Sequence, residues 1–307
     1  MAFDPHAGSY EIKKKFTQEE VIPAPDDIGA LANRINKATH AIHNKINNLI
    51  SLKMVFALRD PKIYRQGIIA FYYVFREFEH IWVEFLAQDP TTLTEDQREI
   101  QDILQQVWTP ALARTEALEL DLSFYYHTES AEAFAQKYQN PVMSEQISML
   151  KHMKDVLHEK PYLILAYAHT LYLALFAGGR IMRSSVAKST GLFPVVPGKT
   201  QEEVSANGTH LFKFPMVDDE DALRLDFKRR FELATRNSLS EEQKLEIIAE
   251  SEEIFRRNIA AVDEVSRKNQ RAIVQKFGYK ATKFFSIILI IVSIFLLFLQ
   301  MRKFFNF

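Results

Sequence analysis

The chain has 307 residues, which is long enough to bury one large core or two small ones. It contains no cysteine, so disulfides, iron–sulfur clusters, thiolate-ligated groups and cysteine-based zinc sites are excluded. Its 38 basic and 39 acidic residues nearly cancel, and no nucleic-acid partner is expected, because phosphate binding needs a clustered basic excess.

Apolar residues recur at three- and four-residue steps, and the 11 prolines and 9 glycines are few for this length. Both features predict an all-α fold. Residues 1–25 are polar and are expected to form a flexible N-terminal arm, whereas 26–268 are expected to form one helical domain. The first helix of that domain is predicted to be capped by Asp26 or Asp27.

Further helices are predicted at 64–86, in the region 95–138, and at 142–158, 161–189, 219–236 and 240–268. The stretch 191–208 carries prolines and glycines and predicts a loop. Ser240 and Gln243 have the spacing of a capping box, which marks the start of the last helix of the domain.

The C-terminal stretch 284–301, FFSIILIIVSIFLLFLQM, carries no charge. Its length reaches the lower limit for crossing a hydrocarbon core of about 30 Å. Lys280 and Lys283 flank one end and Arg302 and Lys303 the other, as is typical of interfacial anchors. A single transmembrane tail anchor is therefore predicted, joined to the body by a linker at 269–283. The N-terminus has no long apolar core, so no secretory signal is expected and the body should face the cytosol.

Two adjacent glycines, Gly178 and Gly179, lie in an uncharged helical run that ends at Arg180. Each glycine in a helix interior costs roughly 0.5–1 kcal/mol relative to alanine. The pair is compatible with a transmembrane span, with close contact between helices, or with a planar ligand against bare backbone. Tyrosines and a histidine in the same run favour a buried helix over a span.

His43 lies beside the apolar stripe of the first helix. Such a histidine is commonly a hydrogen-bonded structural residue, and a ligand role is the alternative. Without cysteine, a haem iron would need histidine, methionine or tyrosine as its protein ligand. Asn47 follows one turn later and would be placed to orient the imidazole. Together with the glycine pair, His43 suggests a haem held between two helices.

Several segments resemble those of the haem oxygenase family and occur in the family's order over about residues 26–265. The short segments 64–67 (YRQG) and 232–236 (ELATR) resemble the yeast branch. The family segments are 38–44 (ATHAIHN), 118–125 (LELDLSFY), 169–182 (HTLYLALFAGGRIM), 211–215 (LFKFP) and 255–258 (FRRN).

The resemblance implies a haem-oxygenase-like multi-helix bundle with a single C-terminal transmembrane helix. His43 matches the iron ligand, and the glycine pair matches the flexible segment over the haem. Gly178, Gly179 and Arg180 are the catalytic candidates. The haem-binding candidates are His43, Asn47, His169, Gly178, Gly179, Lys228 and Phe255.

One position on the distal helix departs from the family. The family's proton-delivering aspartate is Leu175 here, and a leucine neither accepts nor relays a proton. Arg180, Tyr167 and His169 share that helix and suggest a replacement network, although Arg180 is equally compatible with a solvated surface charge.

The haem propionates also need cations, and Lys228 roughly matches a basic partner in the family. Its neighbours Arg229 and Arg230 are further candidates, and all three are compatible with an ordinary charged helix face. Two basic positions of the family are missing: one is Asn36, and the other is Phe231 or Glu232.

The resemblance implies an enzyme that degrades haem, its cofactor and substrate, with molecular oxygen to biliverdin, carbon monoxide and ferrous iron. Electrons would come from an NADPH-dependent cytochrome reductase on the same membrane, which the family places at the endoplasmic reticulum. Two other hypotheses stay open. The chain is a non-catalytic haem-binding or haem-sensing protein, motivated by Leu175, or a helical membrane-tethered adaptor without haem.

Overall fold

The computed structural model describes residues 22–304 except 215 and 276, and the described part forms α-helices and short 3₁₀ turns without strands. The predicted all-α fold is confirmed. Most of the expected N-terminal arm, residues 1–21, lies outside the described residues. The α-helices are α1 Leu31–Ala57, α2 Pro61–Leu86, α3 Glu95–Val107, α4 Thr115–Tyr126, α5 Ala131–Lys137, α6 Ser144–Glu159, α7 Ile164–Ala187, α8 Gln201–Ala206, α9 Glu220–Thr235, α10 Glu241–Lys268, α11 Gln270–Gln275 and α12 Phe277–Phe304.

The predicted cap of the first helix is wrong. Helix α1 begins at Leu31, and Ala30 is its N-cap without a side-chain hydrogen bond. The Asp27 carboxylate instead accepts from the backbone N–H of Gly29 at 2.8 Å and pairs with Arg236 at 2.7 Å. This aspartate is therefore paired with a cation directly after α9 rather than with the start of α1.

The predicted loop at 191–208 is also partly wrong, because α8 forms within it. Thr200 and Glu203 make a complete capping box at the start of this short helix. The capping box predicted at Ser240 is confirmed, since its hydroxyl accepts from the N–H of Gln243 and the Gln243 side chain accepts from the N–H of Ser240.

The core is built around the aromatic face of α2, where Tyr72, Phe78 and Trp82 are fully buried. The Phe78 ring lies 6.1 Å from that of Tyr167 and 5.7 Å from that of Tyr172, both on α7. Ring pairs at these separations are favourable beyond the apolar area they bury. They join α2 to α7 through the middle of the domain.

Helix α10 connects α1, which carries His43, with α7, which carries the glycine pair. Helix α1 packs along it, and α7 packs against it and against α9. The apolar stripe of α1, with Leu31, Ile35 and Ile46 buried, faces this packing. The other face of α1 stays exposed, which is where His43 lies.

Candidate functional site

His43 projects from the exposed face of α1 and meets α10 at one point. Its ring lies edge-on to the half-buried Phe255 ring, with centroids 5.8 Å apart and an interplanar angle of 88°. The described part of the chain supplies no hydrogen-bond partner for this imidazole. Asn47 is exposed one turn further along α1. The ring is therefore held by an aromatic contact while its nitrogens stay available to a ligand.

The glycine pair lies in α7, which continues as an α-helix through both residues. A Cβ added to Gly178 would meet no atom within 4 Å, and one added to Gly179 would meet only the Phe212 ring, at 3.9 Å. Close packing between helices therefore does not explain Gly178. The space beside its backbone is open, as a flat ligand would require.

His169 is buried on α7, with its ring 5.1 Å from that of Phe231. Its Nε2 atom has no hydrogen-bond partner among the described residues. Burial, with a smaller contribution from the charge of Lys228, lowers the pKa of His169 to about 3. This histidine is therefore neutral at physiological pH.

Lys228 is half-buried on α9 and close enough to His169 to influence its charge. Burial and the neighbouring Arg224 lower the pKa of the Lys228 ammonium. Within the described part of the chain this ammonium has no carboxylate or carbonyl partner. An anionic ligand group would relieve both the burial and the repulsion from Arg224.

Arg230, another candidate for binding the propionates, already has partners. Arg230 donates to Asp226 at 2.7 Å and to the carbonyl of Gln106 at 3.2 Å. Glu232 is buried and pairs with Arg236, and its second carboxylate oxygen has no donor among the described residues. The position next to Phe231 thus holds a carboxyl group rather than a cation, and Lys228 is the cation that influences the pKa of His169.

Leu175 and Arg180 line the same small cavity of about 10 Å³, together with residues from the segment before α9 and from its first turn. Such a volume holds about one water molecule. Arg180 is half-exposed and donates to the Asp221 carboxylate at 2.8 Å. The remaining lining residues are Phe176, Phe212, Phe214 and Glu220.

A buried carboxylate network beside α7 was missed at the sequence level. Glu79 on α2 accepts hydrogen bonds from the Tyr172 hydroxyl at 2.9 Å and from the backbone N–H groups of Arg114 and Thr115 at 2.8 and 3.0 Å. Burial raises the pKa of Glu79 despite these donors. The only sequence signal was an acidic residue within the apolar face of α2.

Tyr167, proposed as part of a replacement network, is directed toward α10. Its hydroxyl donates to the buried Glu250 carboxylate at 2.7 Å, and His152 approaches the same carboxylate at 3.0 Å. Tyr167 and His169, two residues apart on α7, therefore have different surroundings. Tyr167 is hydrogen-bonded across the bundle, whereas the Nε2 atom of His169 has no partner among the described residues.

Comparisons with known proteins agree on one family. The sequence model of the heme oxygenase family matches residues 29–264. The chain belongs to the haem oxygenase family. It is 40% identical to the Heme-binding protein HMX1 of Saccharomyces cerevisiae, over 85% of this chain and 83% of that protein. It is 22% identical to a heme oxygenase of Guillardia theta, over 76% of this chain and 86% of that one.

Solved structures show the same fold at low sequence identity. Heme oxygenase-1 of the cyanobacterium Synechocystis in complex with heme superposes with a TM-score of 0.62 at 22% identity, covering 84% of this chain and 99% of that one. The heme oxygenase of Leptospira interrogans gives 0.57 at 22% identity, covering 76% and 99%. The multi-helix bundle predicted for this chain is therefore the haem oxygenase fold.

The residues present fit a haem. The imidazole of His43 is the donor type that haem iron accepts without cysteine. The backbone at Gly178 borders open space, and the Lys228 ammonium lacks an anionic partner among the described residues. An imidazole, a stretch of open backbone and a cation are the kinds of group that a haem with two propionates requires.

Proposed function

We propose that the protein is a membrane-anchored haem oxygenase with His43 as the iron ligand. The observation that carries this proposal is the free His43 imidazole, held against Phe255 and without a hydrogen-bond partner in the described chain. A structural histidine would be expected to hydrogen-bond. When bound, haem supplies the redox-active iron and is also the molecule that is degraded to biliverdin, carbon monoxide and ferrous iron.

The residues around His43 orient its ring. The perpendicular contact with Phe255 limits rotation of the imidazole. Asn47, one turn further along α1, lies within reach of the same face and would orient the imidazole directly or through water. Because α1 packs along α10, the histidine and the phenylalanine keep one relative position.

Helix α7 would supply a second surface for the haem. Gly178 and Gly179 have no side chain, so they would let a flat ligand approach the backbone and would leave room for oxygen. The Lys228 ammonium, which has no carboxylate partner among the described residues, would provide a cation for the propionate edge, and the neutral imidazole of His169 lies buried near it.

Proton delivery would differ from that of the family, because the side chain of Leu175 can neither donate nor accept a proton. Arg180 and Asp221 lie at the same small cavity as Leu175 and would hold a water there. The Tyr172 hydroxyl, which donates to Glu79, is a second polar group of α7. We assign water positioning to Arg180, and Gly178 and Gly179 to covering the haem.

The cellular setting follows from the family and from α12. We propose that α12 crosses the endoplasmic reticulum membrane with the body in the cytosol, and that an NADPH-dependent cytochrome reductase on that membrane supplies electrons. The helix is long and apolar enough for a span, since Lys280–Leu297 has a mean hydropathy of 2.1 and is not buried.

A second candidate function is haem binding without turnover. Leu175 favours it, because the position lacks a proton-relaying carboxylate. The name of the 40% identical yeast relative also describes haem binding rather than degradation.

The experiment uses the full-length protein in detergent with haem, a cytochrome reductase and NADPH. We expect the Soret band to disappear as a bilin absorbance appears. The variant His43→Ala should lose the axial ligand and turnover, whereas His40→Ala, an equally exposed histidine one turn earlier on α1, should keep both. An intact Soret band beside an active reductase would instead establish the second candidate.

A further inference from the structure

The segment between the body and α12 is docked on the body. The Asn269 side chain, at the end of α10, donates to Gln66 of α2 at 2.8 Å. Ile273 of α11 is partly buried against the core. At Gly278 the Arg59 guanidinium lies so close that an added Cβ would overlap it. The expected linker is therefore helical and attached at three points.

This junction gathers basic residues without acidic ones. No aspartate or glutamate occurs between 267 and 283. Arg59, from the turn between α1 and α2, adds a cation from the body. We call this group the basal surface, and all its members are exposed: Arg59, Arg267, Lys268, Arg271, Lys280 and Lys283.

Most cations of the basal surface have no carboxylate partner among the described residues. Arg267 lies close enough to Glu264 to lower the pKa of that carboxyl. The other five form no ion pair within the described residues. Some exposed cations elsewhere are paired, as Lys151 is with Asp155 at 3.2 Å. A cluster of unpaired like charges costs electrostatic free energy unless an anionic surface neutralises it.

The position of this surface indicates what neutralises it. Lys283 directly precedes the exposed apolar stretch that begins at Phe284. Gly278 lies six residues before Phe284, so Arg59 is about 9 Å along the helix from the apolar stretch at about 1.5 Å per residue. That distance is close to the Debye length of about 8 Å at physiological ionic strength. If α12 enters the bilayer at Phe284, Arg59 would lie close enough to the headgroups to interact with their charge.

We propose that the basal surface binds the headgroups of anionic phospholipids and holds the body against the bilayer that α12 enters. This inference rests on the proposed membrane insertion of α12. Each basic residue near an anionic leaflet raises surface affinity roughly fivefold. The body is thereby oriented with the α1–α2 turn toward the membrane. The loop after α7 reaches the same corner, where Gly191 packs on the Arg59 backbone.

Because the chain contains no cysteine, a fluorophore can be attached at a single introduced cysteine, and the orientation of the body on the membrane can be measured from that one label. Thr190→Cys places a fluorophore at the exposed neighbour of Gly191. Asn36→Cys, near the other end of α1, serves as the distant position. Full-length protein is inserted into phosphatidylcholine vesicles with or without 30 mol% phosphatidylserine, as a chosen composition, each containing an acceptor-labelled lipid. Energy transfer reports the height of each label above the bilayer.

We expect transfer from position 190 to increase on the anionic vesicles, to exceed that from position 36, and to lose this increase in 0.5 M salt, a concentration chosen to screen surface charge. Lys268→Gln with Arg271→Gln should abolish the increase and leaves Lys280 and Lys283 to support insertion. Arg59→Gln should reduce it separately. The matched control is Arg98→Gln with Lys137→Gln, which removes two exposed cations from α3 and α5.

Flotation with the vesicles separates the possible failures. A chain that does not float contradicts insertion of α12, and this inference with it. A chain that floats but gives equal transfer on neutral and anionic vesicles contradicts the inference alone. So does a basal variant that behaves like the parent while circular dichroism shows the parental helix content.

Discussion

Helices α7 and α12 have similar lengths and uncharged runs but opposite surroundings. Both are long and apolar enough to cross a membrane, yet 67% of the most apolar stretch of Pro161–Ala187 is buried and none of Lys280–Leu297 is. The difference lies in the polar residues. Tyr167 and Tyr172 of α7 donate to Glu250 and Glu79 on other helices. The apolar stretch of α12 carries no tyrosine or histidine that would form such bonds.

This comparison shows that hydropathy alone does not separate a core helix from a candidate span. A buried hydroxyl needs a partner, and α7 obtains its partners from carboxylates on α2 and α10. Such partners exist only inside a folded domain. Tyrosines that donate to carboxylates on other helices therefore identify α7 as a core helix, whereas the apolar stretch of α12 has no such side chains and is suited to lipid.

The largest expected effect comes from removing α12. A chain ending at residue 283 should no longer float with phospholipid vesicles, because the apolar stretch of α12 makes no contact that would replace lipid. Its haem titration should match that of the full chain. Flotation and the Soret band measure the two properties. Co-flotation of the shortened chain would assign membrane binding to the body.

Leu175→Asp tests whether the missing carboxylate limits turnover. The new group would face the cavity shared with Arg180 and Asp221, where it can hold a water. Proton transfer by a positioned group typically contributes 10²–10⁴-fold, so we expect at least a tenfold increase in the initial rate of bilin formation. Leu175→Asn, of the same size without the charge, is the control. Equal rates for parent and Asp variant would show that another group already supplies the protons.

The buried His169 should make stability depend on pH. Its folded pKa of about 3 lies below the unfolded value of about 6.5, so the unfolded state binds the proton first. The contribution is fully present above pH 6.5 and is lost as pH falls toward 3, at about 1.4 kcal/mol per pH unit. Urea unfolding of the apoprotein at pH 7 and pH 4 measures this. His169→Phe should remove about 3 kcal/mol of the difference.

The exposed His158 provides the control for that measurement. The variant His158→Gln should unfold with the parental pH dependence. A parental slope in His169→Phe would mean that other groups account for the pH effect, such as the carboxyls of Asp27 and Glu246, whose pKa is lowered in the folded state by their cationic partners.

The hydrogen bond between α7 and Glu79 should contribute measurably to folding. Tyr172→Phe keeps the ring contacts with Phe78 and removes one donor to a buried carboxylate. We expect a loss of about 1–3 kcal/mol in the free energy of unfolding. Tyr138→Phe, whose lost hydroxyl has no hydrogen-bond partner in the described chain, should change it little. Equal effects in urea titrations would show that the Glu79 contact is energetically neutral.

The smallest expected effect comes from Gly178→Ala. A methyl group there meets nothing within 4 Å, so the apoprotein should gain about 0.5–1 kcal/mol of stability from the better helix former. Haem binding should weaken at the same time, because the methyl occupies the space assigned to the ligand. Urea titration measures the gain in the free energy of unfolding, and haem titration measures the loss of affinity for haem. An increase in both quantities would show that the haem binds elsewhere.

Local pattern was sufficient for much of the fold. Helix periodicity located nearly every long helix, and the Ser240 capping box depends only on residues three apart. The short helix α8 was missed because a Pro- and Gly-containing stretch hides its Thr200 capping box. The His43 and glycine-pair positions were found by pattern and resemblance, and their roles in haem binding and turnover stay predictions.

By itself, then, the sequence determined the helical class, the positions of most helices, the charge-free C-terminal segment and the order of segments that places the chain in its family. These depend on neighbours within a turn or two. Only the tertiary structure decided that Asp27 pairs with Arg236, that Arg180 meets Asp221 and that Glu79 receives Tyr172. Each joins residues 41 to 209 positions apart, and burial and charge, rather than spacing, select such partners.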